Sequence, residues 1–397
     1  MKIHQIAASI LALQQMSTWV SSHPDTTGKI SIDFPSTVLS SPRSDMTATT
    51  VSSTHIIIVG GCDNEEGNVK GDGYYYCPSI TNTVEKYIIA TGTVTKLTSA
   101  PRARYRHAAV LIDDYIWLIG GRDVEDNIIT AVDVFHVITE TWETVGQLSN
   151  VTSDLAVYAK NEIIYMVGGW VADYSEASNQ VTMFDTSDLL VNDSPDAAIE
   201  VLDSGLTLTS ARGDTHVAVY NDGVYVSGGF NLECSALSSV EYLDTAASGS
   251  SFVEINGLLQ GRGDKALVEM NGYLFAIGGE DIDGCGGSSI ALDDVEVFHA
   301  NHGTPLSTQW QDLGSIPRNT FRFPAAAAPS ENKIYTFGGQ NHYDEDCECY
   351  RTSDLITIYT WDPDGDTDIS AAGHDSIGFG SSVVVTSVIS AVVVMLM

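Results

Sequence analysis

Four of the ten arginines in this acidic chain share one place relative to a recurring landmark, a pair of adjacent glycines. Sixteen residues before the first glycine of a pair stand Arg104, Arg212, Arg262 and Arg322, with Thr152 once and Ser44, next to Arg43, once. Guanidinium groups gathered in this way would hold an anionic ligand, a carboxylate or sulfate, by forked hydrogen bonds. Fourteen residues before the pair stand Asp154, Asp214 and Asp264. Residues two apart on a strand face the same side. The competing reading is therefore structural, a ring of arginine–aspartate pairs within the scaffold. His216, two residues beyond Asp214, joins the candidate ligand-binding set. His107 falls at another phase, so the two histidines are expected as core or channel hydrogen-bonders and not as a catalytic pair.

Other chemistry is sparse. There is no Gly-x-Ser-x-Gly, no phosphate-binding Gly-Lys-Ser/Thr and no His-Glu-x-x-His, so no catalytic residue is assigned. Arg212-Gly213-Asp214 and Arg262-Gly263-Asp264 spell an integrin-recognition tripeptide, but the repeat phase already accounts for both. Asp362, Asp364, Asp366 and Asp368 alternate as the carboxylates of calcium loops do, without the glycine and glutamate of an EF-hand. They are the candidate metal site, and calcium the candidate cofactor, against the plainer reading of a solvated acidic loop. The six cysteines are an even count, which in an oxidising compartment suggests disulfides. The expected pairs are Cys62–Cys77 and Cys234–Cys285, leaving Cys347 and Cys349 as a tight local pair or free.

The elements that position these residues repeat. Glycine pairs stand at 60–61, 120–121, 168–169, 228–229, 278–279 and 338–339, at intervals of 60, 48, 60, 50 and 60 residues. Six copies of one event at this period mean six copies of one supersecondary unit. A strand closes on each pair, preceded across a short turn by another; Asp113-Asp114, Asn221-Asp222-Gly223 and Asn271-Gly272 are such turns. Apolar runs joined by Asn-Gly or Asp-Gly are strong hairpin signals. After each pair come a variable loop and a third strand carrying Tyr87, Phe135, Phe184, Tyr242, Phe298 or Tyr359. A fourth strand is clearest at Trp142 and Trp310. A four-stranded unit cannot bury both faces alone, whereas six packed radially around an axis can. Antiparallel strands alternate between the two faces. The arginines, the cysteines and the long loops 62–83, 280–293 and 340–353 therefore share one face, and loops on a rigid scaffold are where binding resides.

The order of strand, hairpin, glycine pair, aromatic-ended strand and Trp resembles the kelch repeat, over roughly residues 29–362. Arg212, His216 and Gly228-Gly229 form the fullest copy. The resemblance implies an all-β, six-bladed kelch-type β-propeller with four antiparallel strands per blade, expected as a monomer. Blades one, four and six lack the Trp, and blade three has a long insertion between its third and fourth strands. The sixth blade's tail is turn-rich, while residues 29–34 sit where a fourth strand belongs, so the N-terminal strand is expected to close the ring in the last blade. Kelch propellers imply a binding module recognising a protein or glycan through the loop-rich face. Some secreted six-bladed kelch propellers are instead sialic-acid mutarotases, which would use channel arginines to hold the sugar carboxylate. Copper oxidases of the galactose-oxidase kind also use kelch blades, but no Tyr/His copper set is visible here.

Charge and the chain ends set the context. With 18 basic and 52 acidic residues the formal charge is −34, which disfavours nucleic acid as a partner and suits cations or basic partners. Residues 1–22 combine a basic start, a short apolar run and small residues, the order of a secretory signal. Residues 23–362 form the propeller. Residues 363–382 are an acidic and polar linker, and 383–397 an uncharged apolar stretch shorter than the roughly 20 residues of a bilayer span. Small residues, polar spacer and apolar tail are the layout of a glycosylphosphatidylinositol-anchor signal, with Ser370, Ala371 or Ala372 as attachment site. A short hydrophobic membrane anchor is the alternative. The sequons at Asn150 and Asn192 add to an expected location on the extracellular face of the plasma membrane.

Overall fold

A computed structural model describes residues 28–364, apart from 72–73, 192–193, 283, 285–286, 288 and 301–304. The terminal segments, Asn192, Cys285, Asp366, Asp368 and Ser370, Ala371 and Ala372 lie outside the described residues. Within them the chain forms six blade sheets and two smaller loop sheets with no α-helix, and no helix is long and apolar enough to cross a membrane. Blades one, three, four and five order their strands as they occur in the chain. Blade one is Thr47–Val51, His55–Val59, Val84–Ile88 and Thr93–Lys96. Blade two begins at Tyr105–Ile112 and gains a fifth strand, Ala198–Ile199, parallel to Thr141–Leu148. That added strand comes from the insertion in blade three.

Second strands are the most buried because a neighbouring blade covers each side. His55–Val59 buries four of its five residues, and Tyr273–Ile277 does the same. Apolar clusters fill the spaces between successive blades. Ile57, Val59 and Val84 of blade one meet Ile116, Leu118 and Phe135 of blade two.

Closure falls in blade six. Lys29–Asp33 pairs antiparallel with Ile356–Asp362, from Lys29 opposite Asp362 to Asp33 opposite Ile358. The sheet is completed by Lys333–Phe337 and Ala325–Ala328. At the start of the innermost strand of every blade, or just before it, stands a residue with φ between 45° and 55°: Asp45, Arg106, Asp154, Asp214, Asp264 and Arg322. Their backbones form one ring. Asp45 N–H donates to Arg322 C=O at 2.9 Å, Arg322 to Asp264 at 2.8 Å and Asp264 to Asp214 at 3.3 Å. Asp214 donates to Asp154 at 3.0 Å, Asp154 to Arg106 at 3.3 Å and Arg106 back to Asp45 at 3.0 Å.

The glycine pairs make the blade-to-blade joints. Gly229 N–H donates to Arg262 C=O of the next blade at 2.9 Å, and Gly339 N–H to Arg43 C=O at 2.8 Å, joining blade six to blade one. At Gly228 φ is +60°, and a Cβ would stand 2.3 Å from the Arg262 carbonyl oxygen. Side chains adopt that backbone region rarely and the space is taken, so glycine is required.

The loops are more ordered than their sequence suggests. Val69–Gly71 and Tyr74–Tyr76 from blade one join Gln340–Asp344 and Cys349–Thr352 from blade six in a separate four-stranded sheet. Tyr75, Tyr343 and Tyr350 pack edge to face within it. Glu280–Ile282 and Ser289–Ala291 form a further hairpin. Cys62 is bonded to Cys77 and Cys347 to Cys349. Cys234 is also disulfide-bonded, and its expected partner Cys285 lies outside the described residues.

Candidate functional site

The arginines found by counting from the glycines do two different jobs. Arg43, Arg104, Arg212 and Arg262 are 0% exposed. Each donates from Nη1 to the carbonyl of the first glycine of its own blade: Gly60, Gly120, Gly228 and Gly278. Each also meets an acid of the third strand. Arg43 pairs with Glu85, Arg104 with Asp133, Arg212 with Glu241 at 2.7 Å and Arg262 with Glu296 at 2.5 Å. The acids are satisfied in turn, Glu241 accepting from Thr209 N–H at 2.7 Å and Glu296 from Leu259 N–H at 2.7 Å. This motif ties the approach to a blade, its glycine turn and its third strand together. It leaves no guanidinium face for a ligand, so Arg104, Arg212 and Arg262 are corrected from ligand candidates to scaffold. Nor do they pair with Asp154, Asp214 and Asp264.

The reason is local. The positive φ two residues later breaks the strand alternation on which a shared side depends. Thr152 takes the arginine's place in blade three, donating to Gly168 C=O at 2.7 Å. A signal for this motif was present: the third strands begin Val84-Glu85, Val132-Asp133, Val240-Glu241 and Val295-Glu296. Thr182 and Thr357 stand there instead in the two blades with Thr152 and Thr320.

Arg322 does not belong with the other three. It sits at the ring position, as Asp154, Asp214 and Asp264 do, together with Asp45 and Arg106, which counting missed. All six ring residues line a central cavity of about 210 Å³. His107 and His216 line it too, from neighbouring positions. His107 Nε2 lies 3.0 Å from Thr47 Oγ1. Burial holds the His216 imidazole down at about 3, and the Lys265 cation adds to this, so the ring is neutral.

Above the ring, on the loop-rich face, opens a larger funnel of about 920 Å³. Arg106, Asp214 and Arg322 line both spaces and so form its floor. Tyr75, Tyr105, Trp170, Tyr174 and Phe230 supply aromatic walls. Trp170, Phe230 and Glu280 are residues that directly follow a glycine pair, a position with no expected role from sequence.

Electrostatics on the floor are strained by burial. Arg106 Nε lies 3.6 Å from Asp45 Oδ1 and 3.5 Å from Asp154 Oδ1, while Nη1 donates to Tyr174 Oη at 2.7 Å. Arg322 Nε donates to Asp264 Oδ2 at 3.0 Å and Nη2 to Glu280 Oε1 at 3.3 Å. Trp170 Nε1 donates to Asp214 Oδ2 at 2.6 Å. Burial, then Asp264 and Asp154, push the Asp214 carboxyl well above its usual range. Burial likewise lifts Glu280 to about 8, and Asp264 beside it falls.

The Glu280 shift has a stability consequence. A carboxyl raised in the folded state holds its proton there while the unfolded chain loses it, so its stabilising contribution fades as pH rises from about 4.5 to about 8. Replacing Glu280 by glutamine removes this contribution. The unfolding free energy of the variant is expected to gain on the wild type steadily from pH 5 to about pH 8, by at most about 1.4 kcal/mol per pH unit. Parallel profiles across that range would contradict it.

Of the other candidates, Asp364 N–H donates to Asp362 Oδ1 at 3.1 Å. Among the described residues no group of three or more His, Cys, Asp or Glu is placed to hold a metal ion. Asn150 is exposed.

Comparison with known proteins agrees with this geometry. A kelch-motif family model matches residues 103–149. Alpha-scruin of Limulus polyphemus is 23% identical over 206 residues, covering 50% of this chain and 21% of alpha-scruin. Kelch repeat and BTB domain-containing protein 4 of Macaca fascicularis is 29% identical over 170 residues, covering 41% of this chain and 29% of that protein. Kelch-like protein 36 of Mus musculus is 22% identical over 173 residues, 42% of this chain and 26% of that protein. The matches thus span less than a third of these relatives. With six repeated four-stranded units around one ring, the chain is a kelch-repeat β-propeller.

Proposed function

We propose that this propeller is a non-enzymatic binding module of the cell surface that recognises a partner protein through the funnel on its loop-rich face. The observation that carries the reading is the funnel, about 920 Å³ with aromatic walls over a charged floor. Aromatic surface around a few placed polar groups is the common form of a recognition pocket. The secreted setting is supported by the two disulfides joining Cys62 to Cys77 and Cys347 to Cys349, which persist in oxidising compartments. The apolar runs at the two ends and the sequon at the exposed Asn150 support it further.

The test uses a photo-crosslinking amino acid. Val124 and Leu232 are exposed and line the funnel, whereas the exposed Ile138 lies in a turn of the opposite face. A protein partner on intact cells is expected to be captured from positions 124 and 232 and not from 138. Equal capture from 138 would refute the funnel as the binding site, and capture of glycan alone would replace the protein partner with a sugar.

Chemistry on an acidic sugar is the second reading. One observation favours it: Glu280, with a carboxyl titrating at about 8, adjoins Arg322 on the floor. Anomer exchange of N-acetylneuraminate, followed by NMR, would have to accelerate with the protein present and lose that acceleration in Glu280→Gln.

A further inference from the structure

We infer that the funnel takes a cationic side chain, the lysine or arginine of a basic segment in a partner protein. The inference rests on the funnel being the binding site and adds the chemistry of its occupant.

The acidic and basic groups lining the funnel are unequal. Glu125, Asp126 and Asp173 face two cations, Arg106 and Arg322, and Asp214 and Glu280 add two buried carboxyls that can ionise beside a further cation. Both cations are already engaged. Arg106 stands between Asp45 and Asp154 and donates to Tyr174, and Arg322 stands between Asp264 and Glu280. An anion would have to displace these carboxylates. Open acceptors, in contrast, remain. Glu280 is 1% exposed, yet its Oε2 has no hydrogen-bond partner among the described residues. Near neutral pH burial keeps that carboxyl protonated, and an incoming ammonium or guanidinium supplies the donor and the charge that let it ionise. Glu125 and Asp173 are exposed at the rim.

The walls suit the same group. A cation is attracted to the faces of Trp and Tyr, more strongly where water is excluded. Tyr174 already carries the Arg122 guanidinium 3.8 Å from its ring centre. Trp170 and Phe230 are nearly buried beside it, at 8% and 3% exposure. At longer range the formal charge of −34 would draw a basic segment toward the protein. This reverses the anionic ligand that the arginine series suggests in the sequence, because three of those four arginines are buried in scaffold pairs and do not line the funnel.

The test follows Trp170 fluorescence in the purified protein against four probes: tetra-arginine, tetra-lysine, tetraglutamate and N-acetylneuraminate. The two cationic peptides are expected to bind, about tenfold more weakly on raising salt from low to several hundred millimolar. Glu280→Gln is expected to lose about tenfold or more in affinity. The rim double variant Glu125→Gln/Asp173→Asn changes exposed residues and so leaves folding intact. It should lose several-fold. Arg322→Met, which removes a repelling cation, should bind the cationic peptides at least as well as wild type. Binding of tetraglutamate or N-acetylneuraminate that Arg322→Met abolishes would overturn the cationic occupant while leaving the funnel as the binding site. Binding of none of the probes would also overturn it, and the crosslinking from positions 124, 232 and 138 then decides separately whether the funnel binds a protein.

Discussion

Arg212→Met is expected to lower the unfolding free energy by about 3–5 kcal/mol, a large part of what a domain possesses. The side chain is fully buried and holds three parts of blade four at once: the Gly228 carbonyl, Ser239 and Glu241. Methionine fills the volume but leaves Glu241 charged in the interior. The remaining donors to Glu241, Thr209 N–H and Ser210 N–H, belong to the segment that Arg212 itself anchors. Joint replacement, Arg212→Met with Glu241→Leu, should recover much of the loss, since a buried pair replaced whole often costs little. Urea unfolding of the two variants measures both quantities. A single variant within about 1 kcal/mol of wild type would show that the pair is not a structural tie.

Removing the N-terminal strand should cost a similar amount and act on the whole ring. Ile30 and Ile32 pack against a core cluster that contains Tyr359 and Trp361. Replacing Lys29–Asp33 by a glycine–serine segment of equal length would uncover that cluster and release the edge of Ile356–Asp362. Partial burial of two isoleucines contributes about 3 kcal/mol, and the ladder hydrogen bonds about 1 kcal/mol each. The loss is not confined to blade six. Blade six also closes the ring through Gly339 to Arg43 and through Arg322 to Asp45. Amide exchange is therefore expected to quicken in blade one as well as in blade six. Exchange that quickens in blade six alone, with an unchanged urea midpoint, would show that the strand is an ornament on a ring already closed.

These expectations also separate what was legible in the sequence from what was not. The glycine pairs announce the blades because a positive φ and a crowded Cβ leave no other residue for that turn, as at Gly228. The hairpins and third strands follow from turn chemistry and alternation, which are local. Residues 29–34 were legible as the closing strand because the sixth blade otherwise lacks its fourth.

The site was less legible, for two reasons. A fixed count from the glycines places Arg322 with Arg104, Arg212 and Arg262, although it belongs to the ring with Asp214 and Asp264. Blade six is two residues longer between its ring residue and its glycine pair than blades two to five, and one count cannot see that. Secondly, the ring residues sit at positive φ, where the side alternation of a strand no longer holds. The sheet made from Val69–Gly71, Tyr74–Tyr76, Gln340–Asp344 and Cys349–Thr352 was hidden for another reason. Its strands are paired across nearly the whole chain, and no local pattern marks such pairing.

The division of labour between the two arginine positions is tested most directly by comparing Arg262→Met with Arg322→Met for both urea unfolding and affinity for tetra-arginine. Arg262 lies in the dry scaffold, where its loss strands Glu296. Arg322 lies at the funnel floor, where Glu280 can keep its proton near neutral pH and Arg106 remains to offset the Asp264 charge. Arg262→Met is expected to unfold at much lower urea, by about 3–5 kcal/mol, while Arg322→Met keeps a midpoint near wild type and an affinity for the cationic peptide no weaker than wild type. The reverse pattern, with Arg262→Met stable and altered in binding and Arg322→Met unstable, would contradict it.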